Sequence, residues 1–202
     1  MEKFSNKEAI KFGWTKMKAN FWFLAGTTLI YGIVIAVLNK IPVVSILSGI
    51  LGWGLIVICL KIHDGETAKI SDLFSQLKNI LKYLGSTILY CLIVLGGLIL
   101  LIVPGVMWAI KYQFFSYLIV DKKMGIMEAL RKSAELTKGS RNKLFGFCIL
   151  MGLINIAGAI ALVIGLFATI PTTAIACAYV YRKLSNGTTP QVKPVITPAS
   201  IA

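Results

Sequence analysis

Six apolar segments run along this chain, at about residues 20–39, 42–60, 84–102, 104–120, 144–162 and 164–181. Leu144 to Tyr181 alone is an uncharged run of 38 residues. About 20 apolar residues cross the ~30 Å hydrocarbon core of a bilayer, so that run holds two crossings. The pattern predicts an all-α, polytopic membrane helix bundle with six transmembrane helices in three hairpins. The first segment is too long for a signal-peptide core and is read as a mature span.

The polar stretches between the hairpins carry a helical period of their own. Ser5-Asn6-Lys7-Glu8 has the form of a capping box, and Ile10, Trp14, Met17 and Phe21 follow on one face of a predicted interfacial helix. From Ser71, the residues Leu73, Phe74, Leu77, Ile80, Leu81 and Leu84 make a second stripe. The third amphipathic helix is predicted over about Met124–Lys138, ended by Gly139, with Ala129, Leu130, Ser133 and Leu136-Thr137 on its less polar face. Glu8-Ala9-Ile10-Lys11 matches Glu128-Ala129-Leu130-Arg131, Gly13 stands against Ser133, and prolines recur at Pro42, Pro104 and Pro171. One domain over 1–183 is therefore expected, built of three helix-plus-hairpin units at about 1–62, 63–120 and 121–183. Pro171 is expected inside the last span, kinking it. The Pro-, Thr- and Ser-containing segment 184–202 reads as a disordered cytoplasmic tail.

Charge orients the bundle. Of 21 basic residues, five precede residue 20, four lie between Lys61 and Lys82, seven between Lys122 and Lys143, and three follow Tyr181. Only Lys40 and Lys111 fall outside these clusters. The positive-inside rule then puts both termini and the two long loops in the cytoplasm, so the expected location is a cell inner membrane. The formal charge of +13 is otherwise a nucleic-acid signature, but its residues flank apolar runs and no soluble domain is present to form a groove. The partners implied are membrane lipids, probed by basic amphipathic helices at an anionic leaflet, and no nucleic acid.

Candidate chemistry is sparse. Lys111 interrupts the fourth apolar segment, and no Asp or Glu lies in any segment to pair with it. Such a residue faces the bundle interior or water. On a straight helix it lies ~15 Å above Asp121, near the expected depth of Asn155. Lys111, Tyr112, Gln113 and Asn155 are the candidate binding residues for an anionic group; the simpler reading is a lysine stem packed on Trp108 or Tyr112 with its ammonium reaching water. His63-Asp64-Gly65-Glu66 reads as a solvated loop, and Asp121 as an interfacial boundary. Cys59, Cys91, Cys148 and Cys177 lack metal-ligand spacing. With no nucleophile–base pair, metal cluster or cofactor motif, the chain is expected to be non-enzymatic and free of cofactor.

Ile102-Val103-Pro104-Gly105-Val106-Met107-Trp108-Ala109-Ile110-Lys111-Tyr112, then Glu128-Ala129-Leu130-x-x-Ser133 and Lys138-Gly139-x-x-x-x-Leu144-Phe145, resembles a family of small bacterial integral membrane proteins of unknown function. These are similar in turn to the membrane domain fused to some glycerophosphodiester phosphodiesterases. The opening Glu8-Ala9-Ile10-Lys11-x-Gly13-Trp14 and Ser71-Asp72-Leu73-Phe74 fit the same family. The resemblance implies a six-helix bundle with cytoplasmic interfacial helices and a basic residue at Lys111; it does not imply phosphodiesterase activity. Two functions follow as expectations: engagement of anionic lipid or a protein partner at the cytoplasmic face, or a small transporter or export factor with a central site around Lys111.

Overall fold

The computed structural model describes residues 4–38, 45–100, 102–160 and 165–186. Among them all regular structure is helical: α1 (Asn6–Ala19), α2 (Phe21–Leu38), α3 (Ser45–Asp64), α4 (Ile80–Leu100), α5 (Ile102–Tyr112), α6 (Phe115–Lys122), α7 (Ile126–Leu136), α8 (Arg141–Ile160) and α9 (Leu166–Asn186). Among the described residues, Ile70–Gly97 and Arg141–Ile160 are long and apolar enough to cross a membrane. The pair α1 and α2, bent by 94°, adds a third such stretch if counted as one.

The helices sort by burial. α9 packs against α1, α2, α3 and α8, and Ile175, Ala176, Ala178, Val180 and Tyr181 are fully buried along it. On α4 the residues Ile88, Leu92, Leu95 and Ile99 are exposed on one face, as are Ile149, Leu153, Ile156 and Ile160 on α8 and Trp22, Leu29 and Ile33 on α2. In water these apolar faces would be an aggregation liability; against hydrocarbon they cost nothing. The chain-adjacent pairs α2–α3, α4–α5 and α8–α9 each pack together. Glycine permits the closest approach: a Cβ on Gly97 would lie 2.9 Å from the Gly105 Cα.

The polar segments between the pairs depart from the sequence pattern in two places out of three. Of the Ile10–Trp14–Met17–Phe21 stripe, Met17 is buried and Ile10 packs against the core, but Trp14 is 44% exposed and Phe21 lies beyond the bend; the buried face is Ala9, Gly13 and Met17. The reason is distance: α1 lies so close to α9 that a Cβ on Gly13 would overlap the Thr172 carbonyl oxygen, which only small residues on that face allow. Ser5 does stand at the N-cap, with its carbonyl accepting from the Ala9 N–H at 3.0 Å, but its side chain makes no cap bond and the capping box does not form. The second amphipathic helix is also absent. Ile70–Phe74 and Leu77–Asn79 are 3₁₀ turns leading into α4; Leu73 is fully buried, while Leu81 is 81% exposed. Asp72 holds this turn by accepting from the Lys69 N–H (2.8 Å) and both from the Lys61 ammonium (2.9 Å each). α7 follows the pattern: Ala129, Leu130, Ser133, Leu136 and Thr137 are its buried face, and Gly139 adopts a positive φ of 82° just past its end.

Each of these three segments packs on a helix of a different pair. α1 packs on α9, the turn at Ile70–Phe74 on α3, and α7 on α5 and α6. The second contact is as close as the first, since a Cβ on Gly54 would overlap the Leu73 carbonyl.

The fourth apolar segment is not one helix. It breaks at Gln113–Phe114 into α5 and α6, and α6 ends at Lys123 in the left-handed conformation (φ 54°). Pro171 lies inside α9, and the hydroxyls of Thr172 and Thr173 donate to Ala168 O (2.7 Å) and Ile170 O (2.9 Å) around the missing proline N–H. α9 itself continues to Asn186 with Leu184 and Ser185 buried, so residues 184–186 are helical and not part of a tail. The remainder of that tail, Lys40 and Pro42 lie outside the described residues.

Candidate anion site and the ionic hub beside it

The break between α5 and α6 leaves backbone groups without helical partners, and α7 supplies them. Ser133 Oγ donates to the Lys111 carbonyl (3.1 Å) and accepts from the Phe114 N–H (3.2 Å). Thr137 Oγ1 also donates toward the Lys111 carbonyl (3.1 Å). Two hydroxyls one turn apart thus satisfy one carbonyl and one amide that a membrane helix could not leave bare. Lys111 thus stands level with α7, one turn from a helix break rather than within an unbroken helix.

Lys111 opens on a cleft of about 590 Å³ between α4, α5 and α7. Leu89 and Ile93 of α4 and Met127, Leu130 and Ala134 of α7 form its apolar walls. Lys111, Tyr112, Glu128 and Arg131 supply its polar groups. The Lys111 ammonium sits 4.9 Å from the centre of the Tyr112 ring, within range of a cation–π contact. Among the described residues neither Lys111 nor Arg131 forms an ion pair, and Glu128, one turn from Arg131, forms none either. Two cations and one carboxylate therefore face one apolar cleft with their charges uncommitted.

The other sequence-derived candidates fall elsewhere. Gln113, at the helix break, accepts from the Cys148 thiol (3.3 Å), and its Nε2 is buried without a partner. Asn155 Nδ2 donates to Thr173 Oγ1 of α9 (3.4 Å), and its Oδ1 is likewise buried and unpartnered. Neither lines the Lys111 cleft. Lys111 and Tyr112 thus share a site, while Gln113 and Asn155 face α8 and α9. Sequence reasoning missed Glu128 and Arg131, although their i, i+3 spacing on the polar side of α7 is visible in the chain.

A second constellation was also missed. Arg182, near the end of α9, donates from Nε to Asp64 Oδ1 (3.1 Å), from Nη2 to Asp64 Oδ2, and from Nη1 to Asp121 Oδ2 (2.9 Å). The Tyr181 hydroxyl donates to Asp121 Oδ2 at 2.7 Å. The ends of α3, α6 and α9 are thereby tied together, with Arg182 only 17% exposed. Asp64, Gly65 and Glu66 are exposed, as expected of a solvated segment, but Asp64 ends α3 and is engaged: His63 Nδ1 lies 2.9 Å from its Oδ1, and the His63 ring packs 5.1 Å from Phe12 and 5.9 Å from Tyr179. Burial raises the Asp64 pKa, but the bonds from His63 and Arg182 outweigh it and hold the carboxyl below its ordinary value. For Arg182, burial opposes the charge, and the two aspartates more than restore it. Asp121, read as an interfacial boundary, is a half-buried member of this network.

The uncharacterized proteins Mb2590 of Mycobacterium bovis and MT2637 of Mycobacterium tuberculosis are each 29% identical to this chain over 150 residues, covering 72% of this chain and 44% of theirs. The chain spans less than half the length of these relatives. No family model matches it, and no solved structure does.

Proposed function

We propose that this is a non-enzymatic inner-membrane protein that crosses the bilayer six times in three hairpins, with both termini cytoplasmic, and that it holds an anionic lipid headgroup in the Lys111 cleft at the cytoplasmic face. The observation that carries the reading is the cleft itself, where Lys111 and Arg131 stand uncommitted at the edge of apolar walls. Polybasic surfaces gain about 1 kcal/mol per Lys or Arg near an anionic leaflet, and two cations converging on one phosphate gain hydrogen bonds as well.

The placement of the bundle draws on three further facts. The exposed faces of α2, α4 and α8 carry Leu29 and Ile33, Ile88, Leu92, Leu95 and Ile99, and Ile149, Leu153, Ile156 and Ile160. The three helix ends joined at Arg182 lie next to the basic clusters beginning at Lys61, Lys122 and Arg182. α1, turned 94° from α2 and carrying exposed Trp14 with the Lys18 ammonium 5.7 Å from its ring, has the make-up of an interfacial anchor. The likeness of Ile102–Phe145 to small bacterial membrane proteins accords with this assignment.

Native mass spectrometry of the purified protein tests it. The wild type should retain an anionic phospholipid through detergent exchange, and Lys111→Ala should lose most of it. Equal lipid retention by the two proteins would refute the site.

A further inference from the structure

Resting on the anion-site reading above, we infer that the Lys111 cleft selects a monoanionic phosphodiester lipid whose headgroup carries hydroxyl donors, a glycerol headgroup being the simplest, over a phosphomonoester lipid of the same chains. The inference comes from the third charge. Lys111 and Arg131 bring two positive charges and Glu128 one negative charge, so the cleft is net +1. A phosphodiester brings −1 and leaves the filled site neutral. A phosphomonoester brings up to −2 and sets its extra charge toward Glu128, which repels it.

Glu128 does more than set the balance. An ionised carboxylate only accepts hydrogen bonds, so it needs donors from whatever fills the cleft. A phosphate diester oxygen has none, whereas the free hydroxyls of a glycerol headgroup have two. An ammonium headgroup would also satisfy Glu128, but a zwitterionic lipid is neutral overall and leaves the cleft charged. The occupant is a lipid and not a free phosphate because the cleft is walled by Leu89, Ile93 and Leu130. Leu89 and Ile93 also adjoin the exposed Ile88, Leu92 and Leu95 face of α4, along which an acyl chain can lie.

The test uses full-length protein in detergent with phosphatidylglycerol, phosphatidylethanolamine and phosphatidate of identical chains, read by native mass spectrometry. Wild type should retain phosphatidylglycerol over phosphatidate by about fivefold, the ratio given by like charges ~4 Å apart in water. Glu128→Gln, at an exposed position, should bring that ratio toward one, chiefly by raising phosphatidate retention. Equal retention of the two lipids by wild type, or an unchanged ratio in Glu128→Gln, overturns the headgroup inference and leaves the anion site standing. Retention unchanged in Lys111→Met, which keeps the apolar stem, overturns the anion site and this inference with it. Displacement of the lipid by millimolar glycerol phosphate would overturn the lipid as occupant.

Discussion

Arg182 is the residue whose loss should cost the fold most. Its guanidinium meets Asp64 through two nitrogens and Asp121 through a third, and all three side chains end different helices. In Arg182→Leu two carboxylates are left close together without their cation. Removing one partner of a buried pair costs 3–5 kcal/mol. The lower end applies here, because the Asp64 side chain is 32% exposed and water screens part of its charge, whereas Asp121 is 14% exposed. We expect about 3 kcal/mol, or a fall of roughly 6–12 °C in the melting temperature for a chain of this size. Arg182→Lys, which keeps charge but loses the planar fork, should fall between the two. The deciding variant is the neutral triple Asp64→Asn, Asp121→Asn, Arg182→Leu. If the cost comes from stranded carboxylates, the triple variant is more stable than Arg182→Leu alone, because neutral amides no longer repel. Unfolding followed by near-ultraviolet circular dichroism in detergent measures all of these. A triple variant no more stable than the single, or a single variant within 1 kcal/mol of wild type, would refute the reasoning.

The remaining expectations concern packing, the helix break and pH. Gly54→Ala should destabilise by about 1–3 kcal/mol, since its Cβ meets the Leu73 backbone and not a movable side-chain tip, whereas Gly152→Ala, with open space around it, should be neutral or stabilise by up to about 1 kcal/mol; thermal melts compare them directly. Ser133→Ala removes the partner of the Phe114 N–H and one donor to the Lys111 carbonyl, so a cost of about 1–3 kcal/mol is expected, with Thr137→Val adding less than additively because it serves the same carbonyl. The carboxyls of Asp64 and Asp72 are held below their ordinary value, so their contribution to stability is complete above the unfolded carboxylate range near pH 4 and is lost as pH falls through the lowered folded values; Asp72→Asn should flatten part of the acid limb of a stability–pH curve.

What could be read from the chain was whatever a periodic pattern records. The buried face of α7 was legible residue by residue, because Ala129, Leu130, Ser133 and Leu136 recur at helical spacing. The same logic placed Met17 of α1 correctly but not Trp14, because the packing face is set by the closeness of α9, which admits Gly13 and excludes a tryptophan. Hydrophobicity says that a face can be buried and is silent on how near the neighbour comes. The break at Gln113–Phe114 was hidden for a related reason. Neither residue is a helix breaker, and the helix breaks there because Ser133 and Thr137, some twenty residues on, can satisfy the exposed backbone. Lys111 was legible as an exception, since charge inside an apolar run stands out, and it lines the cleft with Tyr112. Arg182 was not, because a basic residue at the end of a span looks alike whether it faces water or two aspartates.

The hub and the cleft are linked through the proposed three-unit plan. In that plan α1, the turn at Ile70–Phe74 and α7 are equivalent, and each packs on the second helix of the preceding unit taken cyclically: α9, α3 and α5–α6. The contacts also fall in register. Gly54 meets Leu73 ten residues before Asp64, Lys111 meets Ser133 ten residues before Asp121, and Thr172 meets Gly13 ten residues before Arg182. Asp64, Asp121 and Arg182 are thus matched positions that converge at one point, where three identical acids would repel and one arginine fork satisfies two carboxylates. The ring closes because its third member differs from the other two. Among the described residues the positions matched to Lys111 hold Gly54 and Thr172, both pressed against backbone, whereas at Lys111 the seam rests on the hydroxyls of Ser133 and Thr137. A lysine can occupy that position because nothing there requires a residue as small as glycine.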